Sequence, residues 1–289
     1  MMLRYFKTWA DSSVGRAPGS QSGGRGFDSP SVHHVYSSEK PSEYMHRSYA
    51  DISFATTDDI AIHEKDEVHH LKDVMRLKKG DRFCVFNGRG EEAECELDSI
   101  SSQMVSARIL DVRREPHTNR FSIALACAIP KKTKFEWILE KATELGADEI
   151  IPLKTERTEV KLLPDRSAKK DQRFQSIVLS AAKQSRRLWM PRLHPITEFR
   201  DVLTLIDPET SAFIPCLVDP RQPISACLNL NILRPKILVL IGPEGDFTPA
   251  EVQAAMEAGA IPISLGKTVL RVETVAISVL SAIQLTINA

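Results

Sequence analysis

The sequence predicts an α/β protein with a mostly parallel sheet, preceded by a small β-rich unit of barrel type. Three observations carry this. Short alternating strand runs lie close together within residues 46–115, the pattern of a small barrel. From about residue 120 apolar strand runs alternate with helical periods, which implies a parallel sheet covered by helices. Two loops, GPEGDF (242–247) and GKTVLRVET (266–274), follow strand runs, and in such sheets ligands bind beyond the carboxyl ends of strands.

The elements follow in order. Residues 1–44 hold nine Ser and five Gly with no sustained period, so they cannot bury a core and read as a disordered leader. The string SSVGRAPGSQSGGRGFDS within it resembles an in-frame translation of a tRNA gene. The expected start is therefore Met45, with 45–115 as the β-barrel and 116–289 as the α/β domain. Arg82–Phe86, Glu91–Leu97 and Met104–Leu110 are the barrel strands, with Asn87-Gly88-Arg89-Gly90 as a hairpin turn. Phe121–Ala128 is a buried strand. Thr133 and Glu136 form a capping box opening a helix whose apolar face is Phe135, Ile138, Leu139, Ala142 and Leu145, stopped at Gly146. Ile150–Leu153 is a strand, and residues 170–187 are helical. Lys236–Ile241 is a buried strand, and Thr248, Pro249 and Glu251 occupy N-cap, N1 and N3 of a helix ending at Gly259. Ile261–Leu265 is the next strand, and a final helix starts near Glu273.

Composition excludes several functions. The 289 residues carry 38 Lys+Arg and 38 Asp+Glu, so a uniformly basic nucleic-acid binder is ruled out. Five cysteines without a CxxC pair suit a reducing cytosol and argue against a zinc site or a disulfide framework, so no metal is expected. The apolar stretch 274–287 is too short to span a membrane. Charge is uneven: residues 130–192 hold 15 basic and 9 acidic residues. That stripe fits a face laid on RNA phosphates, and equally a set of solvated helix faces. No GxGxxG follows a strand and no GxxxxGK[ST] occurs, so dinucleotide and P-loop sites are excluded. A rigid loop such as GPEGDF would read an adenine edge through its backbone, or would be an ordinary strand-to-helix turn.

IGPEGDFTPAEV (241–252) followed by LGKTVLRVETVAI (265–277) resembles the C-terminal signatures of the RsmE family, S-adenosylmethionine-dependent methyltransferases of the SPOUT class. HHLKDVMRLKKGD (69–81) and FNGRGEEAECEL (86–97) resemble that family's PUA-like barrel. KATELGADEIIPLKTERTEV (141–160) and KQSRRLWMPRL (183–193) resemble its central and glutamine-arginine segments. The resemblance implies a C-terminal trefoil knot and methylation of N3 of a uridine in the decoding region of 16S rRNA, in the small ribosomal subunit. It implies a cofactor pocket of Leu240, Gly242, Pro243, Glu244, Gly245, Leu265, Gly266, Leu270 and Arg271, with Arg271 and Glu244 as candidate catalytic groups. Arg157 is a second candidate for the developing charge or for holding the phosphate, and Glu273 a second candidate proton acceptor; either acid would alternatively pair with Arg271 or cap a helix, and activated water or hydroxide would serve instead. His69, Arg76, Lys131, Lys132, Arg157, Arg186 and Arg187 are the candidate RNA contacts. Trp189 suits base stacking or core packing. The final helix, apolar nearly all round, suits a homodimer, or burial within its own domain. Two departures stand out: Asp246 replaces a usual glycine, and Lys183 replaces a usual acid. The alternatives are another SPOUT RNA methyltransferase and a non-catalytic RNA-binding assembly factor.

Overall fold

The protein is described here from a computed structural model. It covers residues 45–288 apart from 55–56, 118–119, 131–133 and 159–163, with the side chains of 164–169 also left aside. The leader, Lys131, Lys132 and the Thr133 cap thus lie outside the described residues.

The first unit is a five-stranded sheet in the order β1-β3-β4-β5-β2. Its strands are β1 (Arg47–Tyr49), β2 (Asp59–Ile62), β3 (Arg82–Phe86), β4 (Glu91–Ile100) and β5 (Val105–Arg114). Helix α1 (Lys65–His69) and a π-helical turn, His70–Val74, lie between β2 and β3. Alternation drives the strands: Ala93, Cys95 and Leu97 of β4 face a core with Phe83, Val85, Val105 and Ala107, while their neighbours face outward.

The second unit has an eight-stranded sheet in the order β11-β13-β10-β12-β6-β7-β8, with β9 also paired to β7. Its strands are β6 (Ser122–Ala128), β7 (Glu149–Lys154), β8 (Arg192–Leu193), β9 (Thr197–Glu198), β10 (Thr210–Pro215), β11 (Gln222–Pro223), β12 (Lys236–Ile241) and β13 (Ile261–Ser264). The pairings are parallel. The helices are α2 (Lys134–Glu144), α3 (Pro164–Gln184), α4 (Phe199–Leu203), α5 (Ile224–Cys227), α6 (Pro249–Glu257) and α7 (Val272–Ile287). One face of the sheet packs on α2, α3 and α7, through Phe135, Ile138, Leu139, Phe174, Val178, Val279, Leu280 and Ile283. The other packs on α4 and α6, through Phe199, Val202, Val252 and Ala255. Both faces are covered, which is why β12 reads as an unbroken apolar run. Gly146 and Gly259 end α2 and α6 with φ of 81° and 107°, and Thr248 and Glu251 form the expected capping box. The apolar α7 is only half covered: Ala276, Val279, Leu280 and Ile283 are buried, whereas Leu285 is 76% exposed.

The two units are locked together by buried polar contacts. Arg47 donates to Glu92 at 2.6 Å and to the carbonyls of Ala182 and Arg187 at 2.8 and 3.0 Å, and its guanidinium lies 3.9 Å over the Phe86 ring. Gly90, at φ 87°, leaves no room for a Cβ, which would fall 2.5 Å from both the Glu115 carbonyl and the Trp189 ring. Trp189 itself donates to the Glu115 carbonyl at 3.0 Å, meets His117 edge to face and packs against the Phe86, Ala182 and Leu188 cluster, so of its two readings these contacts match packing.

Lys183 closes the same seam. It ion-pairs with Glu67, whose other oxygen accepts from Ser48 Oγ at 2.5 Å, and Glu67 is 4% exposed. Lys183 thus supplies the countercharge for a buried carboxylate. Breaking a fully buried pair costs about 3–5 kcal/mol. The Lys183 side chain is 22% exposed, and water screens part of that, so Lys183→Ala is expected to lower stability by about 2 kcal/mol. Urea unfolding would measure it, and exchanging the charges, with Lys183→Glu and Glu67→Lys together, is expected to recover more than either change alone.

Candidate active site

The first loop is shaped by its own backbone. Asp246 N–H donates to the Pro243 carbonyl at 2.9 Å, closing a turn over residues 243–246. A Cβ on Gly242 would lie 3.1 Å from Phe247 N and from its ring, so glycine lets the turn fold over Phe247. That ring is 1% exposed and stacks at a tilt on Phe199, 5.3 Å between centroids. The segment after β7 braces the loop from outside. Arg157 Nη1 donates to the Gly245 and Phe247 carbonyls at 2.6 and 3.4 Å, and Glu156 N–H donates to Glu251 at 2.9 Å.

The second loop leaves β13 through Gly266, at φ 123°, whose N–H donates to Ser264 Oγ at 3.3 Å. It ends at Arg271, the N-cap of α7, whose carbonyl accepts from Val275 N–H at 2.9 Å. A third segment, 215–221, leaves β10, the strand between β12 and β13. Asp246 joins it to the first loop: at φ 61° its Oδ2 accepts from Leu217 N–H and its Oδ1 from Phe247 N–H, both at 2.8 Å. Position 246 is therefore a left-handed one, which aspartate tolerates through such side-chain bonds.

These three segments enclose a cavity of about 550 Å³, within the range of small-ligand pockets. Gly242, Pro243, Glu244, Leu265, Gly266, Leu270 and Arg271 line it. Two members of the expected set do not. Leu240 is fully buried in the core between the sheet and α6, because it sits inside β12, and Gly245 is turned toward Arg157. Motif reading missed the β10 segment, with Pro215, Cys216, Leu217 and Arg221, and also Lys134 at the start of α2. Lys134 Nζ lies 3.9 Å from Glu244 and 3.6 Å from Glu273, so those acids face Lys134 rather than pairing with Arg271. The second oxygen of Glu273 is buried without a hydrogen-bond partner among the described residues.

The expected RNA contacts separate into two sets. His69, Arg76 and Arg186 are exposed, His69 alongside Asp73 at 2.7 Å. Arg187 is not a surface group: its side chain is 15% exposed and donates to the Thr143 and Ala147 carbonyls and to Asp148, at 3.2, 2.5 and 3.0 Å. Burial pushes its pKa down while Asp148 opposes the shift. Arg157 is exposed, yet directs Nη1 at the first loop. Among the described residues no His, Cys, Asp and Glu group is arranged to hold a metal ion. Burial raises the pKa of Cys216, the thiol at the cavity wall, so it stays a neutral lining group.

The cavity suits a bent, adenosine-sized cofactor. Its rim supplies glycine backbone for an adenine edge and both signs of charge, from Glu244, Asp246, Arg221 and Arg271, for a zwitterionic chain. A parallel α/β sheet with such a pocket at its strand ends places the protein among the α/β folds that bind a ligand or cofactor there. The chain belongs to the RNA methyltransferase family. The family model for an RNA methyltransferase domain matches residues 117–284, and that for an RNA methyltransferase PUA domain matches 64–110. The chain is 35% identical over 222 residues to the ribosomal RNA small subunit methyltransferase E of Bacillus subtilis, covering 75% of this chain and 87% of that one. It is 37% identical over 210 residues to the Synechocystis protein of the same name, covering 72% and 67%. The Neisseria gonorrhoeae ribosomal RNA small subunit methyltransferase E, solved bound to S-adenosyl methionine, superposes with a TM-score of 0.75 at 28% identity, covering 83% and 97%.

Proposed function

We propose that this protein transfers a methyl group from S-adenosylmethionine to N3 of a uridine in the decoding region of 16S rRNA. The observation that carries the reading is the convergence of both signature loops, through seven of the nine residues expected from the motifs, on one cavity. The bound donor supplies an electrophilic methyl on a sulfonium. The chain's residues do the rest. The glycine-bearing loops hold the donor at backbone distance. Arg271 stabilises the negative charge that develops on the uracil oxygens as the N3 proton leaves. Glu244, at the cavity wall and facing Lys134, accepts that proton. The base must leave its stack to enter, at a cost of a few kcal/mol, and RNA binding by the exposed His69, Arg76 and Arg186 offsets it. The domain division at about residue 115, the threading of the C-terminal segment as a trefoil knot, and a cytoplasmic location belong to the same reading. No described helix is long and apolar enough to cross a membrane. The exposed Leu285 and the half-covered α7 support a homodimer through that helix.

The test has two arms. Calorimetric titration of S-adenosylhomocysteine into the full chain is expected to show saturable binding at one site per chain. Incubation with unmethylated small subunits and labelled donor, with the product nucleoside mapped, is expected to give N3-methyluridine. Binding without methylation would favour an assembly factor, and a ribose-methylated product would favour another SPOUT chemistry.

A further inference from the structure

We infer that Asp246 is a positioning residue for the methyl donor, tying the β10 segment to the first loop and so setting the separation of two walls of the cavity. The inference rests on the cofactor reading above. Asp246 adopts φ 61°, a conformation that disfavours side chains, and its carboxylate is spent in two directions. Oδ1 accepts from the next residue's N–H, which supports the left-handed turn locally. Oδ2 reaches the N–H of Leu217, in a segment far away in sequence, and both residues line the cavity.

That second bond has no local purpose. Segment 216–221 lacks regular structure. Its other bonds do not reach the first loop: Cys216 N–H donates to the Ile263 carbonyl at 3.4 Å, and within the segment Cys216 Sγ meets the Val218 carbonyl at 3.5 Å while Arg221 donates to the Cys216 carbonyl at 3.2 Å and to Asp219 at 2.9 Å. The Leu217 side chain is 54% exposed, while its neighbours Cys216 and Val218 pack into the core that also holds Phe247. Packing thus sets the inner edge of this wall, and the Asp246 carboxylate supplies the hydrogen bond that ties its exposed part, at Leu217, to the loop that carries Gly242 and Pro243. Glycine at 246 would keep the turn and lose the tether. Asparagine would keep the turn and one acceptor.

The test measures Asp246→Gly and Asp246→Asn in the full chain by three readouts: S-adenosylhomocysteine affinity, unliganded melting temperature, and hydrogen exchange at the Leu217 amide. A hydrogen bond of this kind is worth about 3- to 10-fold in an equilibrium. Asp246→Gly is therefore expected to weaken binding about that much, with faster exchange at Leu217 and an unchanged unliganded melting temperature. Asp246→Asn is expected to fall between it and wild type. Wild-type affinity in Asp246→Gly overturns the proposal. So does a loss of affinity that comes with a matching fall in melting temperature, since the carboxylate would then serve the fold alone. A folded wild-type chain that binds no S-adenosylhomocysteine overturns the cofactor reading itself, a separable result.

Discussion

Replacing Arg187 with alanine is expected to destabilise the protein by about 3 kcal/mol, far more than a lost RNA contact would. The side chain is 15% exposed and caps the turn after α2, donating to the Thr143 and Ala147 carbonyls. It also faces Asp148, whose carboxylate is 11% exposed and accepts the Ile123 N–H at 2.9 Å. Truncation removes the countercharge of a buried carboxylate and a donor to the Ala147 carbonyl, while the Thr143 carbonyl keeps the Gly146 N–H at 3.2 Å. Each unsatisfied buried group costs about 1–3 kcal/mol, and water entering the vacated space recovers part of that. The Arg187 carbonyl receives Arg47, so the damage also reaches the seam between the two units. Denaturant titration should show a lower midpoint with an unchanged slope. Arg186→Ala, next door but exposed, is expected to cost less stability than Arg187→Ala. A variant of Arg187 with wild-type stability and weaker RNA binding would restore the surface reading.

The contrast between those neighbours shows what sequence alone could reach. A basic residue within KQSRRLWMPRL reads as surface, because charge is rarely buried without a partner. Its partner, Asp148, lies in another resembled segment and meets it only once β7 has entered the sheet. Elements with strong local signals were legible: KILVLI as a buried strand, Thr248 to Glu251 as a cap, and glycines at helix ends. β10 was not, because TSAFIP is a short apolar run ending in proline, which breaks the strand pattern. The cavity's third wall was lost with it. Seven lining residues were legible because they stand in two contiguous loops. Lys134 was not, because its contacts with Glu244 and Glu273 join α2 to both loops only through the fold. Leu240 was assigned to the pocket by adjacency along the chain, and strand geometry turns it into the core.

The largest catalytic effect is expected at Arg271. Among the described residues three cations line the cavity, and two are locally compensated. Lys134 faces the Glu244 and Glu273 carboxylates, and Arg221 pairs with Asp219 at 2.9 Å. Arg271 is exposed at the N-cap of α7, with no ion pair among the described residues. Its field, together with the positive end of the α7 dipole, is the one left to act on whatever enters. If that charge meets the uracil oxygens as the proton leaves, it contributes mainly in the transition state. Arg271→Ala should then lower kcat by about 10²–10³, the scale seen when a single oxyanion donor is removed. Affinity for S-adenosylhomocysteine should weaken less than about tenfold, the scale of one polar contact. Arg271→Lys should restore part of kcat, since it keeps the charge but not the planar fork. The opposite split, with affinity lost and single-turnover kcat retained at saturating donor, would assign Arg271 to holding the donor's carboxylate. The charge on the base would then fall to Lys134, and Lys134→Ala would become the variant with the larger kcat defect.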